Sequence, residues 1–95
     1  MANIAIDIDG TFDTDPALWR YIIEVLMKKG NNVFIVSGSF QSPEKLDRLG
    51  IIHAFIIQNG MSKKQYMEFI GINIDIWIDN EPWLIAPEKT LTGTL

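Results

Sequence analysis

The chain has 95 residues, of which 47% are hydrophobic, and a formal net charge of −4 at pH 7. This length fits one domain, and the hydrophobic content is typical of a folded protein rather than a disordered one. The negative charge and the lack of a Lys/Arg stripe disfavour a nucleic-acid backbone as an electrostatic partner. Because the chain has no cysteine and a single histidine, His53, any metal would have oxygen ligands, which favours Mg²⁺.

The predicted elements alternate strand and helix. An apolar, β-branched run predicts a buried strand over 4–8, and Asp15 followed by Pro16 predicts the start of a helix that ends near Gly30. Residues 84–95 are predicted either as a fifth edge strand or as a loose tail. The other predicted elements are a strand over 33–36, a helix over 42–50, a strand within 51–60, a helix over 62–71 and a strand within 72–82.

This alternation predicts an α/β fold, a three-layer Rossmann-like parallel sheet of four to five strands flanked by helices, in a single domain over 1–95. Ligands of such sheets bind at the carboxyl ends of the strands. Polar residues of this chain gather at those ends, which predicts one polar site. They are Asp7 and Asp9 after the first strand, Ser37 and Gly38 after the second, Lys63 and Lys64 after the third, and Asp79, Asn80 and Glu81 after the fourth.

These residue types indicate phosphoryl chemistry. Asp7 and Asp9 point to the same side of a strand and repel each other unless a cation neutralises them, so we predict a bound Mg²⁺ that this pair shares with Asp79. The hydroxyl of Ser37, the amide of Gly38 and a lysine would contact a phosphoryl group. Asp7 would then serve as a nucleophile and Asp9 as the acid and base.

Four segments resemble the motifs of the haloacid dehalogenase superfamily, in the order of that family. Its first motif, Asp-x-Asp-x-Thr, resembles DIDGTF at 7–12, and its second, an apolar strand that ends in Ser or Thr, resembles VFIVSGS at 33–39. The third resembles the lysine at the start of the third helix, and the fourth resembles IWIDNEP at 76–82. The resemblance covers residues 3–82 and implies a small phosphatase with Mg²⁺ as cofactor.

The resemblance also implies which residues carry out the reaction and hold the metal. Asp7 would be the nucleophile and a Mg²⁺ ligand. Asp9 would be the general acid and base, and its backbone carbonyl would bind Mg²⁺. Asp79 would be a further Mg²⁺ ligand.

A second group of residues would bind the phosphoryl group by the same resemblance. Thr11 would orient the loop of the first motif, and Ser37 with Gly38 would contact the phosphoryl oxygens. Lys64 would stabilise the charge of the nucleophile and phosphate, with Lys63 as the alternative. A lysine in the first turn of a helix opposes the helix dipole, which favours a functional reason for one of the two.

The chain departs from the family in two respects. Asn80 stands where the family often has a second acid, which lowers the negative charge available to a metal. The spacing between the motifs also leaves no room for a cap domain. Capless relatives tend to act on bulky substrates, so a phosphorylated nucleotide, nucleic-acid end or protein is the expected partner, and a homodimer remains an open alternative.

Three alternatives compete with a phosphatase. A catalytically weak or inactive member of the family would bind a phosphorylated ligand or partner, and Asn80 is compatible with it. A dehalogenase has no need of Asp9, so that residue disfavours it. A receiver domain would carry its phosphorylated aspartate after the third strand, whereas here Asp7 follows the first.

Other polar and aromatic residues have simpler interpretations. Asp15 is predicted as a helix N-cap, and Asp75 and His53 are predicted at the opposite end of the strands from the site, with structural roles. Asp13 is a candidate for the site entrance only. Trp83 follows the fourth motif and would belong either to the core or to the rim of the site, where it would stack on a ring of the substrate.

The chain carries no recognisable secretion signal and no apolar run of about 18 residues. We therefore expect a cytoplasmic protein without a membrane partner.

Overall fold

The computed structural model of the protein describes residues 1–57 and 60–85. Within these ranges four strands alternate with three α-helices. The elements are β1 (Asn3–Ile6), α1 (Pro16–Lys28), β2 (Asn32–Ser37), α2 (Pro43–Leu49), β3 (Phe55–Ile56), α3 (Lys63–Phe69) and β4 (Ile76–Ile78). Short 3-10 helices follow β1 at Phe12–Thr14 and β4 at Pro82–Leu84.

The four strands form one parallel sheet in the order β3-β2-β1-β4. Ile6 of β1 pairs with Ile35 of β2 on one side and with Ile78 of β4 on the other. The chain thus moves outward from β1 to β3 and returns to the opposite side of β1. Such a reversal of strand order is where α/β sheets bind their ligands, and here it lies beside the carboxyl end of β1.

The predicted helix starts are confirmed, and each has a side-chain cap. The Asp15 carboxylate accepts a backbone hydrogen bond at 3.2 Å, and Ser42 Oγ accepts one at 3.1 Å. Ser62 and Gln65 form a reciprocal capping box at the start of α3. Gly50 ends α2 in a left-handed conformation with φ of 76°. The longest of these helices has 13 residues, and none in the described ranges could cross a membrane.

Three of the four strands are shorter than the sequence predicts, whereas β2, predicted over 33–36, is one residue longer at each end. The strand predicted over 4–8 ends at Ile6, because the Ile8 carbonyl accepts hydrogen bonds from Thr11 and Asp13 and the chain turns there. The strand predicted within 51–60 covers Phe55–Ile56 among the described residues, which leave out 58–59, and this β3 strand lies at the edge of the sheet and pairs on one side alone.

The fourth strand, predicted within 72–82, covers only Ile76–Ile78. Before it, the Asp75 carboxylate accepts the Asn3 N–H at 2.8 Å, and the Asp75 N–H donates to the Asn3 carbonyl at 2.8 Å. Asp75 therefore fastens the entrance of β4 to β1, which confirms its predicted position. His53 packs edge-on against Phe55, with ring centroids 5.0 Å apart.

The apolar side chains form two separate clusters. One contains Met67 of α3, and the other contains Leu49 of α2 and is covered in part by side chains of α1. No residue of α1 is fully buried. The buried members are Ala5, Val36, Ile57 and Met67 in the first cluster and Ile8, Phe12, Leu49 and Ile51 in the second.

The predicted fifth strand or tail at 84–95 falls mostly on residues 86–95, which lie outside the described residues. Leu84 itself ends the second 3-10 helix. Trp19 and Trp77 are half-buried and pack against the two clusters.

Removing the Met67 side chain should destabilise the protein strongly, because this residue is 0% exposed in the first cluster. We expect Met67→Ala to lower the free energy of unfolding by about 2–5 kcal/mol. Met27→Ala is the matched control, since Met27 is 57% exposed on α1 and should cost no more than about 0.5 kcal/mol. Urea unfolding followed by circular dichroism measures both, and similar losses would contradict this description of the core.

Candidate functional site

The carboxyl ends of β1 and β4 bring two acids together. The Asp7 N–H donates to the Ile78 carbonyl at 3.0 Å, so the β1–β4 pairing continues to the residue after β1. Asp79 directly follows Ile78. The sheet register therefore places Asp7 and Asp79 side by side, although 72 positions of sequence separate the strands that carry them.

Lys63, the first residue of α3, lies between these two acids. Its Nζ is 2.7 Å from Asp7 Oδ1 and 2.6 Å from Asp79 Oδ2, and its side chain is only 3% exposed. Buried ions of this kind lose their hydration, so the three charges depend on one another for compensation. The pairing ties the start of α3 to the ends of β1 and β4.

Lys64, predicted as the site lysine, lies outside this cluster. Its side chain is 51% exposed and pairs with Glu68, one turn further along α3. Successive helical residues point about 100° apart, so only one of two neighbouring lysines can face the sheet edge. The structure therefore corrects the site lysine from Lys64 to the alternative, Lys63.

Burial raises the pKa of Asp7 above its ordinary value. The hydrogen bond and charge of Lys63 oppose this effect, while the nearby charge of Asp79 adds to it. Burial therefore disfavours the charged form of Asp7 more than Lys63 favours it.

Asp79, predicted as a metal ligand, lies beside Asp7 and contacts two protein donors. One of its oxygens accepts from Lys63, and the other, Oδ1, accepts the N–H of Glu81 at 2.9 Å. Both carboxylate oxygens of Asp79 therefore already have protein donors.

The Asn80 side chain lies against both Asp7 and Asp9. One of its two side-chain amide atoms lies 2.9 Å from the Asp9 carbonyl oxygen and 3.0 Å from Asp7 Oδ2. If that atom is nitrogen, it donates to both oxygens. If it is oxygen, three oxygens face one another, an arrangement that a cation would stabilise.

Gly10 permits this approach of Asn80. Its φ is +82°, and a Cβ at this position would come within 2.3 Å of the Asn80 amide. Glycine is thus required here both for the backbone conformation and for the space that the amide occupies.

Asp9 is surrounded by three donors. Lys45 Nζ lies 2.5 Å from its Oδ1, while Ser39 Oγ and Gln41 Nε2 each lie 2.8 Å from its Oδ2. Partial burial alone would raise the pKa of Asp9, but the hydrogen bonds from Lys45, Ser39 and Gln41 outweigh it and lower the pKa. Asp9 is therefore held as a carboxylate.

Asp13 lies 3.7 Å from Lys45 and accepts the Gly10 N–H at 2.9 Å.

Sequence reasoning missed Lys45, Ser39 and Gln41. Lys45 lies in the first turn of α2, where a positive charge opposes the helix dipole. The same unfavourable position of a lysine indicates a functional role for Lys63 or Lys64, so it could have identified Lys45 as well. Ser39 and Gln41 carry no comparable signal, because polar residues are ordinary in a loop between a strand and a helix.

The predicted phosphate-binding residues occupy different parts of the site. Ser37 is fully buried, and its Oγ donates to the Ser39 carbonyl at 3.0 Å and accepts from Gln41 at 3.1 Å. Gly38 lies against Lys63, whose Cε is 3.5 Å from the place of a Cβ on Gly38. Thr11 is buried in the turn after β1, where its N–H donates to a carbonyl of that turn.

The charges of the site do not balance. The ion pairs join four carboxylates to two ammonium groups. Two negative formal charges are left over, and one divalent cation would neutralise them. The carboxylates are those of Asp7, Asp9, Asp13 and Asp79, and the ammonium groups are those of Lys45 and Lys63.

No group of three or more His, Cys, Asp or Glu side chains in the described ranges is arranged to hold a metal. An oxygen site would instead combine Asp7 Oδ2 with the Asp9 carbonyl and the Asn80 amide oxygen. Oxygens that bind one Mg²⁺ at adjacent octahedral positions lie about 3 Å apart. The separations of 2.9 and 3.0 Å fit this ion, and they equally fit hydrogen bonds that the Asn80 amide nitrogen donates.

Comparison with known proteins gives no match: no family model fits the chain, and neither a curated protein nor a solved structure is significantly similar to it. Any functional conclusion therefore depends on the chemistry of the site itself.

Loss of the buried lysine should destabilise the fold, because it would leave Asp7 and Asp79 unpaired and close together. We expect Lys63→Met to lower the free energy of unfolding at pH 7 by about 3–5 kcal/mol. The neighbouring variant Lys64→Met is the control, since an exposed pair one turn apart contributes only about 0.3–0.5 kcal/mol. Urea titration of both variants measures the difference, and equal losses would contradict the placement of Lys63.

Proposed function

We propose that the chain is a Mg²⁺-dependent phosphomonoesterase of the haloacid dehalogenase type, which forms an aspartyl-phosphate on Asp7. One observation carries this proposal: the two oxygens of Asp7 have different surroundings. Oδ1 accepts from the buried Lys63, while Oδ2 lies 3.0 Å from the Asn80 side-chain amide, which also contacts the Asp9 carbonyl. A carboxylate between a buried cation and a fitting metal site suits a nucleophile that must approach a phosphate dianion.

In this proposal Asp7, the Asp9 carbonyl and Asn80 would hold Mg²⁺, whereas Asp79 would pair with Lys63 and not with the metal. When bound, the ion would supply positive charge against the phosphoryl oxygens. The unbalanced acids and the raised pKa of Asp7 both support a cation at this place.

Formation and hydrolysis of the phosphoenzyme would use different residues of this chain. In the first, an Asp7 oxygen bonds to phosphorus as the bond to the leaving oxygen breaks, and Lys63 balances the charge on Asp7. In the second, water attacks phosphorus, Asp9 accepts its proton, and Asp7 is released with inorganic phosphate.

Asp9 is better prepared for the second step than for the first. Its three donors hold it ionised, so it can accept a proton from water but has none to give to a leaving group. Leaving groups that depart as stable anions need no such proton. We therefore expect aryl phosphates to react much faster than alkyl phosphates.

The fold of the family is part of the proposal. The two apolar clusters, one with α3 and the other with α1 and α2, support a sheet covered on both faces. The short connections between the described elements support a domain without a cap. A phosphorylated partner, such as a nucleotide, a nucleic-acid end or a protein, would then approach an open rim, and a homodimer is one way to cover it.

The catalytic proposal is tested by hydrolysis of p-nitrophenyl phosphate with Mg²⁺ and with a chelator. We expect turnover by the wild type that the chelator removes, and background rates for Asp7→Asn because the amide cannot form the phosphoenzyme. Lys64→Met is the control and should retain the wild-type rate. Turnover by Asp7→Asn at the wild-type rate would overturn the role of Asp7.

A binding protein without turnover is the second candidate, and the ionised state of Asp9 favours it. Saturable binding of beryllofluoride with Mg²⁺, together with no hydrolysis of any phosphomonoester, would establish this candidate. Absence of both binding and hydrolysis would contradict both functions.

The assignment of Asn80 to the metal is tested without activity. Mg²⁺ should raise the melting temperature of the wild type, because a ligand at 100 times its dissociation constant stabilises by about 2.7 kcal/mol. We expect Asn80→Ala to lose this rise and Asn80→Asp to increase it, since an added carboxylate strengthens the site. If Asn80→Ala kept the full rise while Asp79→Asn lost it, Asp79 would be the ligand.

A further inference from the structure

A small pocket adjoins the acid–lysine cluster. It has a volume of about 300 Å³ and shares Lys63 and Gly38 with the proposed phosphoryl site. A separate cleft of about 990 Å³ is larger, but it lies between α1 and residues 50–53 and touches none of the site acids. The small pocket is also lined by Gly60, Met61, Ser62, Gln65, Trp83 and Leu84.

Trp83 forms one wall of this pocket and is 56% exposed. It belongs to the 3-10 helix that follows β4, and the end of this helix is attached to α3. The Leu84 N–H donates to the Glu81 carbonyl at 2.9 Å within the turn, and the Ile85 carbonyl accepts the N–H of Lys64 in α3 at 2.9 Å. The indole is therefore held beside the start of α3 although its own ring is largely uncovered.

Gln65 supplies a polar group to the same pocket. Its Oε1 accepts the Ser62 N–H at 3.0 Å as part of the capping box, which fixes the orientation of the amide. Its Nε2 has no hydrogen-bond acceptor among the residues that the structure describes. An amide N–H held in this way can donate to a carbonyl or a ring nitrogen of a ligand.

The charge of the pocket limits the ligand further. Among the described residues that line it, Lys63 is the single charged side chain, and it belongs to the phosphoryl site. This described lining therefore offers no second cation for the further phosphoryl groups of a diphosphate or triphosphate. The net charge of −4 also disfavours a long nucleic acid.

We propose that this pocket binds the planar ring of a nucleoside monophosphate, with the ring stacked on Trp83 and its polar edge facing Gln65. The inference rests on the proposed function, because it assigns the substrate class of the same site. A volume of about 300 Å³ accommodates a base, and an exposed aromatic face is what bases stack on.

The test compares nucleoside 5′-monophosphates with ribose 5-phosphate, which has the same phosphoryl group and sugar but no ring to stack. We expect the wild type to favour the nucleotide about tenfold to a hundredfold in kcat/KM, the range that one stacked base contributes. In Trp83→Ala this ratio should fall towards one, through a higher KM for the nucleotide. Trp83→Phe should retain most of the preference.

The matched control is Phe69→Ala, because Phe69 is an exposed aromatic residue of α3 outside the pocket. It should keep the wild-type ratio and the wild-type rates. An equal loss on both substrates in Trp83→Ala, or no change of the ratio in that variant, would overturn the proposal.

Binding measured by calorimetry separates this proposal from the phosphatase. Adenosine 5′-monophosphate that binds the wild type and binds Trp83→Ala at least tenfold more weakly, with hydrolysis of neither this nucleotide nor p-nitrophenyl phosphate, would uphold the ring pocket and overturn the phosphatase. Hydrolysis of ribose 5-phosphate at a rate equal to that of nucleotides would uphold the phosphatase and overturn the ring pocket. The absence of both binding and hydrolysis would overturn both proposals.

Discussion

The ion pairs of Lys63 with Asp7 and Asp79 are the interaction on which the rest of the site depends. A buried lysine between two buried acids is costly unless all three charges are in place, because none of them keeps its hydration. The strand order provides that arrangement, since β4 returns to the side of β1 and carries Asp79 to Asp7. The same pairing fixes the start of α3, and with it the wall of the pocket beside Lys63.

The acids on the other side of this centre are organised by a second lysine. Lys45 of α2 pairs with Asp9, while Gly10 leaves space for Asn80 to reach the Asp9 carbonyl. The helices that connect the strands thus place the ammonium groups of Lys45 and Lys63 at the carboxyl end of β1, where carboxylates outnumber them. An excess of charge of this kind disfavours folding and favours the binding of a cation, which is a common relation between stability and function in active sites.

The helix boundaries could be predicted from the sequence because their signals are local. Asp15, Ser42 and Ser62 accept backbone hydrogen bonds within three residues of themselves, so neighbouring sequence contains the whole interaction. Three of the four strands were predicted too long, because a strand ends where its partner ends. The β3 and β4 strands lie at the edges of the sheet, and their partners are remote in sequence.

The sequence by itself determined which chemical groups reach the site: two acids after the first strand, a lysine before the third helix and an acid–amide pair after the fourth strand. Only the tertiary structure decided which of two neighbours faces inward. Lys63 rather than Lys64 meets the acids, and Asn80 rather than Asp79 faces the Asp9 carbonyl. The physical reason is that the order of strands and helices along the chain determines which residues reach the same end of the sheet. The direction of each side chain depends instead on how its helix or turn is rotated against partners far away in sequence.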